Sequence, residues 1–426
     1  MEPATPNTPG TCPTYAEALR FWLKLGFISF GGPAGQIAIM QTELVEKRGW
    51  ISQSRFLHAL NFCMLLPGPE AQQLAIYIGW LLHRTRGGIA AGALFVLPSV
   101  FILWGLSFVY AAYGNVPWIA AIFYGLKPAV MAIVAAAVIR IARKSLTTWL
   151  LWLVAVTAFA GIFVFKIPFP LIIFGAALIG ALSGLTSKPD THPAAETHVE
   201  ASSGWLRVVR IGVTCAILWW TPVLLAGLWQ GWDSTLFEQG VFFSKAAVVT
   251  FGGAYAVLPY VAQQAVEHYS WLGAGQMMDG LALAETTPGP LIMVLQFVGF
   301  VGGWNHPGTF SPVAAATLSA LLTTWVTFVP CFLWIFLGAP HVENLHANVH
   351  LRSALATVTA AVVGVILNLA VWFALPVIFP AGRVDWIALA LGGIAFVGLV
   401  KWKWDVLAVV IGGGVCGLVL QHFLRG

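Results

Sequence analysis

Charge is what this sequence has least of. Asp, Glu, Lys and Arg make up 9% of its 426 residues, against about 25% in a soluble domain. The shortfall excludes a chain that folds wholly in water. Cysteine is scarce too: Cys12, Cys63, Cys215, Cys331 and Cys416 are scattered with no CxxC pair, which speaks against a disulfide framework or a zinc site. There is no HExxH and no paired set of His and Asp, as a membrane-embedded enzyme would need. His341, Glu343, His346 and His350 cluster, but at spacings that enforce no ligand geometry, so they read as an aqueous loop. No metal and no cofactor are expected. Residues 1–14 are rich in Pro and Thr, nearly uncharged and without an apolar core, so they read as a disordered tail and not as a signal peptide.

What is present is apolar. Mean hydropathy is +0.85, and runs of about 20 residues, the length a bilayer core requires, recur from end to end. They fall near 19–45, 56–82, 87–112, 117–142, 147–164, 169–186, 206–228, 236–262, 278–303, 310–338, 352–379, 384–400 and 404–424. The expectation is an all-α polytopic membrane protein of about 12–13 transmembrane or re-entrant helices. Segment 187–204 is polar and reads as a linker. The net charge of +5 fits Lys- and Arg-rich cytoplasmic loops, so no nucleic-acid partner is expected. Loops holding Arg84, Arg86, Arg140, Arg143, Lys144, Lys188, Arg207, Arg210, Arg352, Lys401 and Lys403 share one side, which the positive-inside rule makes cytoplasmic. The N-terminus is then inside and the C-terminus outside. Lys47, Arg48 and Arg55 fit this better if the first segment is re-entrant.

A shift of 221 residues superposes two parts of the chain. Lys24 falls on Lys245, Phe30-Gly31-Gly32 on Phe251-Gly252-Gly253, Glu46 on Glu267, Trp50 on Trp271, and Pro67-Gly68-Pro69 on Pro288-Gly289-Pro290. Further on the offset changes. Val96-Leu97-Pro98 resembles Phe328-Val329-Pro330, and Leu126-Lys127-Pro128-Ala129 resembles Leu351-Arg352-Ser353-Ala354. The domains expected are a first repeat at 15–186, the linker at 187–204, a connecting helix at 205–230 and a second repeat at 231–426. An odd number of crossings before the second repeat inverts it, a plan that places a transport site at the midplane between repeats.

The duplicated motifs break apolar helices. Gly relaxes the backbone and Pro removes an amide donor. Irregular backbone at membrane depth survives only in protein or beside a wet cavity. Half-helix N-termini there present free N–H groups and a positive dipole end, a preformed anion site. Expected substrate-binding residues are Lys24, Phe30, Gly31, Gly32, Pro33, Gln36, Pro67, Gly68, Pro69 and Gln72 in the first half. In the second they are Lys245, Phe251, Gly252, Gly253, Thr286, Thr287, Pro288, Gly289 and Pro290. The two Lys supply positive charge; Gln36, Gln72, Gln73, Asn61, Thr286 and Thr287 supply neutral hydrogen bonds. Intramembrane carboxylates are functional hypotheses by default, and Glu285 and Glu70 are the proton-coupling candidates. Asp279 reads as interfacial. Ala176 and Gly180, one helical turn apart, would let two helices approach closely. Trp50, Trp271, Trp402 and Trp404 read as interfacial belts.

KLGFISFGGPAGQ at 24–36, LLPGPEAQQLAIYIGW at 65–80, VTFGGAYAVLPYVAQQAV at 249–266 and ETTPGPLIMVLQFVGF at 285–300 together resemble the chromate ion transporter family in its long two-domain form. That family's usual His shortly after the first FGGP is Gln36 here. The resemblance implies export of chromate across the bacterial inner membrane, driven by the proton motive force and conferring chromate resistance. The partners implied are a chromate- or sulfate-like oxyanion, protons and the lipid bilayer, with a homodimer left open. Sulfate transport, an uncoupled anion channel and a membrane-embedded enzyme are the alternatives.

Overall fold

The structure, a computed structural model, describes residues 12–183, 205–339 and 349–425. His341, Glu343, His346 and the linker 187–204 lie outside the described residues. The described residues form helices and no strand. In the first half these are α1 (Tyr15–Ile28), α2 (Gly32–Gln41), α3 (Gln53–Cys63), α4 (Glu70–Tyr113), α5 (Pro117–Ser145), α6 (Trp149–Phe163) and α7 (Phe169–Ser183). Then follow α8 (Trp205–Gln230), α9 (Thr235–Val249), α10 (Ala254–Gln263), α11 (Ala274–Thr286), α12 (Val294–Asn305), α13 (Pro312–Gly338), α14 (Val349–Ile378), α15 (Trp386–Val400) and α16 (Val406–Arg425). Thr14, at the end of the expected tail, caps α1 in a reciprocal capping box with Glu17.

The duplication holds element by element. Helices α1, α2 and α3 repeat as α9, α10 and α11, and each of α2 and α10 runs on into a π turn, Thr42–Lys47 and Gln264–His268. Helix α4 answers to two elements of the second half because it is itself two helices. The chain reverses at His83 and Arg84, the latter at φ 54. The reversal brings Gly79 and Gly87 backbone to backbone, where a Cβ on either would collide with the other's carbonyl. The part before the reversal repeats as α12 with its leading 3-10 turn, the part after it as α13. Helices α5, α6 and α7 repeat as α14, α15 and α16.

The motif-bearing segments fold back instead of spanning. Beyond α2, Arg48 lies 5.0 Å from the Phe21 ring and Trp50 stacks edge-on to Phe21 at 5.3 Å, so the chain has returned along α1. His83, at the end of the next hairpin, meets the ring of Tyr15 at 5.4 Å. The second half does the same: Phe242 on α9 meets Tyr260, Tyr269 and Trp271, and Asn305 donates to the Trp271 carbonyl at 2.9 Å. Trp271 is therefore core, at 1% exposure, and not an interfacial belt residue. Re-entry also returns Lys47, Arg48 and Arg55 to the side of the N-terminus.

Six helices are long and apolar enough to cross a bilayer among the described residues: α4, α5, α8, α13, α14 and α16. Helices α6, α7 and α15 have 15 residues each, about 22 Å at 1.5 Å per residue. As two crossings or as one hairpin, α6 and α7 return the chain to the side they left. The remainder of α4 and α5 cross once each. Helix α8 then carries the chain over, and the second half enters from the opposite face, so the repeats are inverted.

The halves are interlocked. Helix α5 packs on α15 and α16, and α14 packs on α6 and α7. Small residues set the closeness: Gly125 meets Gly413 and Gly417, while Thr357 donates to the Ala176 carbonyl at 2.7 Å and fills the space above Gly180. These contacts pair Gly125 with Thr357, the same shift that pairs Pro98 with Pro330. The sequence match of Leu126–Ala129 to Leu351–Ala354 is therefore out of register by seven residues. Seven residues are nearly two full turns, so the same helix face looks alike at either alignment.

Single cysteines at Ser54 and Arg86 are expected to react with a membrane-impermeant thiol reagent from one side of the bilayer. Cysteines at Asn115 and Trp232 should react from the other. Labelling of Ser54→Cys and Arg86→Cys from opposite sides would rule out the re-entrant hairpins. Gly125→Leu should wedge α5 from α16 and cost about 1–3 kcal/mol, as overpacking does, read as a lower apparent Tm.

Candidate functional site

Four hairpin tips meet where the halves cross. The N–H of Gly68 donates to the Thr250 carbonyl at 2.7 Å, and the N–H of Gly289 donates to the Ser29 carbonyl at 2.7 Å. The two bonds are one bond seen twice, because Gly289 repeats Gly68 and Thr250 repeats Ser29. Each joins the PGP tip of one half to the residues before FGG of the other. Gly68 and Gly289 sit at φ +122 and +99, where L side chains are strained. A Cβ on Gly289 would run into Ser99, whose hydroxyl donates to the Pro288 carbonyl. A Cβ on Gly68 would lie 2.9 Å from Gln73 and from Cys331.

The tips end four helices and begin four more. The beginnings are those of α2, α4, α10 and the 3-10 turn Leu291–Met293 before α12. The first N–H groups of a helix have no intrahelical partner, so the crossing gathers unpaired donors and positive dipole ends at one depth. Around them lie buried polar side chains. Gln36 is fully buried and its amide nitrogen donates to the carbonyls of Gly289 and Ser29. Gln73 donates to the Pro67 carbonyl at 2.6 Å. The Ser29 hydroxyl and the amide oxygens of Gln36, Gln72 and Gln73 are buried without a partner. Buried polar atoms are paired as a rule, and a cluster of exceptions marks a place built for something else to fill.

Other expected residues sit differently. Thr286 and Thr287 turn their hydroxyls back onto Leu283 and Ala284 at 2.8 and 3.0 Å, so neither offers its proton to a ligand. Lys24 and Lys245 are exposed on α1 and α9, six residues or about 9 Å of helix rise from the FGG tips. Asn61 is exposed. Glu70 begins α4 with its carboxylate beside Gly253 of the other half.

Glu285 is 6% exposed and accepts a hydrogen bond from the Tyr255 hydroxyl. Arg140 of α5 is the cation beside both. Sequence reasoning placed Arg140 in a cytoplasmic loop and passed over Tyr255. It also passed over Lys127, although a Lys ten residues inside an apolar helix is a signal in its own right. Lys127 pairs with Asp279 at 3.9 Å, and Asp279 is 5% exposed.

The two faces of the crossing are unequal. In the second half α10 packs on α14, and α11 packs on α5 and α16. The counterpart pairs, α2 with α5 and α3 with α14 and α7, make no comparably extensive packing among the described residues. Tyr255, Ala282 and Glu285 are accordingly buried, while their counterparts Ala34, Asn61 and Met64 are exposed. The crossing is thus more exposed toward the side of the N-terminus, its open side, and more buried on the other, its sealed side.

Gly289→Ala should abolish function, through a clash added to strain of about 1–3 kcal/mol. Gly31→Ala is strained too, at φ +83, but meets nothing nearer than 3.8 Å and should retain measurable activity. Equal tolerance of both changes in a flux assay would show that the tip bonds do not matter.

Comparison with known proteins follows the same division. The chromate transporter family model matches residues 16–181 and 237–418, one stretch per repeat, and leaves α8 between them. A chromate transport protein of Pseudomonas aeruginosa is 31% identical over 415 residues, covering 95% of this chain and 92% of that one. A chromate transport protein of Cupriavidus metallidurans is 31% identical over 361 residues, 84% of this chain and 82% of that one. An uncharacterized transporter of Methanocaldococcus jannaschii is 27% identical over 412 residues, 96% and 95% of the two chains. No solved structure matches. By the family model and by these relatives, the chain belongs to the chromate transporter family.

Proposed function

We propose that the protein is a secondary transporter that exports chromate across the bacterial inner membrane at the expense of the proton motive force, and so confers chromate resistance. The observation that carries this reading is the reciprocal pair of tip hydrogen bonds. They gather four helix beginnings at the meeting of inverted repeats, where a dianion finds N–H donors. Phe30, Gly31, Gly32 and Pro33, with Gln36, Pro67, Gly68, Pro69 and Gln72, line the open side. Phe251, Gly252, Gly253, Pro288, Gly289 and Pro290 close the far side, with Thr286 and Thr287 behind them. Lys24 and Lys245 draw the anion in through the field along the hairpins, and Arg140 meets it with a planar, permanently charged fork. Glu285, held by Tyr255 next to Arg140, carries the coupling proton, and Glu70 is its partner carboxylate across the crossing. Rocking of one pair of hairpins away from the helices while the other pair docks alternates access.

Orientation follows from charge. The side of the N-terminus collects Lys47, Arg48, Arg55, Arg84, Arg86, Arg143, Lys144, Lys401 and Lys403, while the other retains Lys166, Arg383 and Arg425. The positive-inside rule places the N-terminus in the cytoplasm and the C-terminus in the periplasm. The more exposed face of the crossing then looks toward the compartment from which chromate is exported. Backbone amides and a guanidinium recognise charge and shape, so sulfate, a tetrahedral dianion of similar size, competes.

Everted vesicles carrying the wild-type protein should take up chromate when a proton gradient is imposed, and excess sulfate should reduce the uptake. Glu285→Gln should abolish gradient-driven uptake while chromate exchange persists. Tyr255→Phe removes a hydrogen bond to a charged group, an interaction of about 1.5–3 kcal/mol, and should slow uptake roughly tenfold. No chromate movement under any gradient would sink this reading and leave an anion transporter of another substrate.

A further inference from the structure

On the sealed face a second polar cavity approaches the same barrier. It has a volume of about 380 Å³, and Asn115, Gln276 and Asn305 line it, with Lys127, Asp279 and Tyr110 among its walls. The Tyr110 hydroxyl donates to Asp279 Oδ2 at 2.9 Å. Lys127 approaches the same oxygen at 3.9 Å, a loose ion pair in which the ammonium keeps a third of its side chain exposed and the carboxylate 6%. Asp279 Oδ1 is buried with no hydrogen-bond partner. A buried carboxylate with one oxygen unpaired is costly, and the deficit disappears if that oxygen holds a proton which a ligand accepts.

We propose that Lys127, Asp279 and Tyr110 form a second oxyanion site, on the periplasmic side of the barrier, at which a tetrahedral dianion and a proton bind together. The proposal rests on the transporter reading and adds a second anion-holding site to it. The reasoning is one of charge. With Asp279 ionised, the Lys127 charge is cancelled and a dianion meets a carboxylate across a few ångströms. With Asp279 protonated, the site is cationic, and the acid O–H becomes a donor to an anion oxygen while Lys127 is freed to pair with it. The proton comes from the aqueous cavity and returns to it, and no bond other than O–H is made or broken. Among the described residues packed around α11, Lys127 of α5 and Tyr110 of α4 are the charged and titratable groups facing Asp279, and α12, α14 and α16 present none. Asp279 and Glu285 stand six residues apart on α11, about 9 Å of helix rise, so a carboxylate marks each face of the barrier.

Equilibrium binding of radiolabelled sulfate, with chromate as competitor, to the full chain in lipid nanodiscs at pH 6 and pH 8 tests this. The wild type is expected to bind several-fold more tightly at pH 6. Asp279→Asn should bind equally at both pH values, near the wild-type affinity at pH 6. Lys127→Gln should lose the pH-dependent component, and Lys127→Arg should keep it, which separates lost charge from lost fold. Glu285→Gln should leave the pH dependence in place. Wild-type pH dependence persisting in Asp279→Asn, or vanishing in Glu285→Gln instead, would overturn the second site and leave the transporter reading intact. Absence of oxyanion binding by the wild type at either pH would overturn both.

Discussion

The fold depends on two amide–carbonyl hydrogen bonds, Gly68 to Thr250 and Gly289 to Ser29. Each hairpin tip is irregular backbone held at membrane depth, and an unsatisfied peptide group there costs several kcal/mol. Neither half can satisfy these tips alone. The donor lies in one repeat and the acceptor in the other, so the halves must dock tip to tip, and the two-fold relation makes each bond guarantee the other. Positive φ at both glycines is a consequence: an N–H can point across the interface only if the chain turns where other residues cannot follow. The swapped packing of α5 on α15 and α16, and of α14 on α6 and α7, then surrounds the crossing with helices from both repeats.

This constraint explains what was legible in the sequence. FGG and PGP stand out because Gly and Pro are there for backbone reasons, and backbone reasons repeat when a fold is duplicated. The helical class and the inverted repeat followed from composition, the 221-residue shift and the parity of crossings, and parity survived the change from spanning segments to hairpins. Register further along did not survive. Beyond Pro98 the helices are held by small-residue contacts such as Gly125 on Gly413 and Thr357 on Ala176, which leave almost no pattern in an apolar sequence.

The site was half legible for a related reason. The tips are local in sequence, whereas the side chains that complete them come from far away. Tyr255 reaches Glu285, Ser99 reaches Pro288, and Lys127 reaches Asp279, the nearest of these pairs being 30 residues apart in sequence. The expectation that Lys24 and Lys245 supply positive charge to the anion took their repeat as evidence of shared chemistry. The structure places both on exposed helix faces short of the tips, where repetition is accounted for by the shared hairpin.

The asymmetry between the repeats is a physical property of one state and not of the sequence alone. Helices α2 and α10 occupy equivalent places, yet α10 packs extensively on α14 while α2 makes no comparable packing on α5 among the described residues. The docked pair buries Tyr255 and Glu285 together, which removes a carboxylate from water and therefore requires either its proton or a cation beside it. Arg140 supplies that cation from the open side. The first half has Ala34 where the second has Tyr255, and Met64 where it has Glu285, so docking α2 would bury no equivalent pair. In the proposed cycle the two closures differ in charge although they are alike in backbone, and only one of them carries a titratable carboxylate at its centre. A proton gradient can bias an alternating cycle when the two closures differ in this way, since a symmetric pair of sites would bind the proton equally in both.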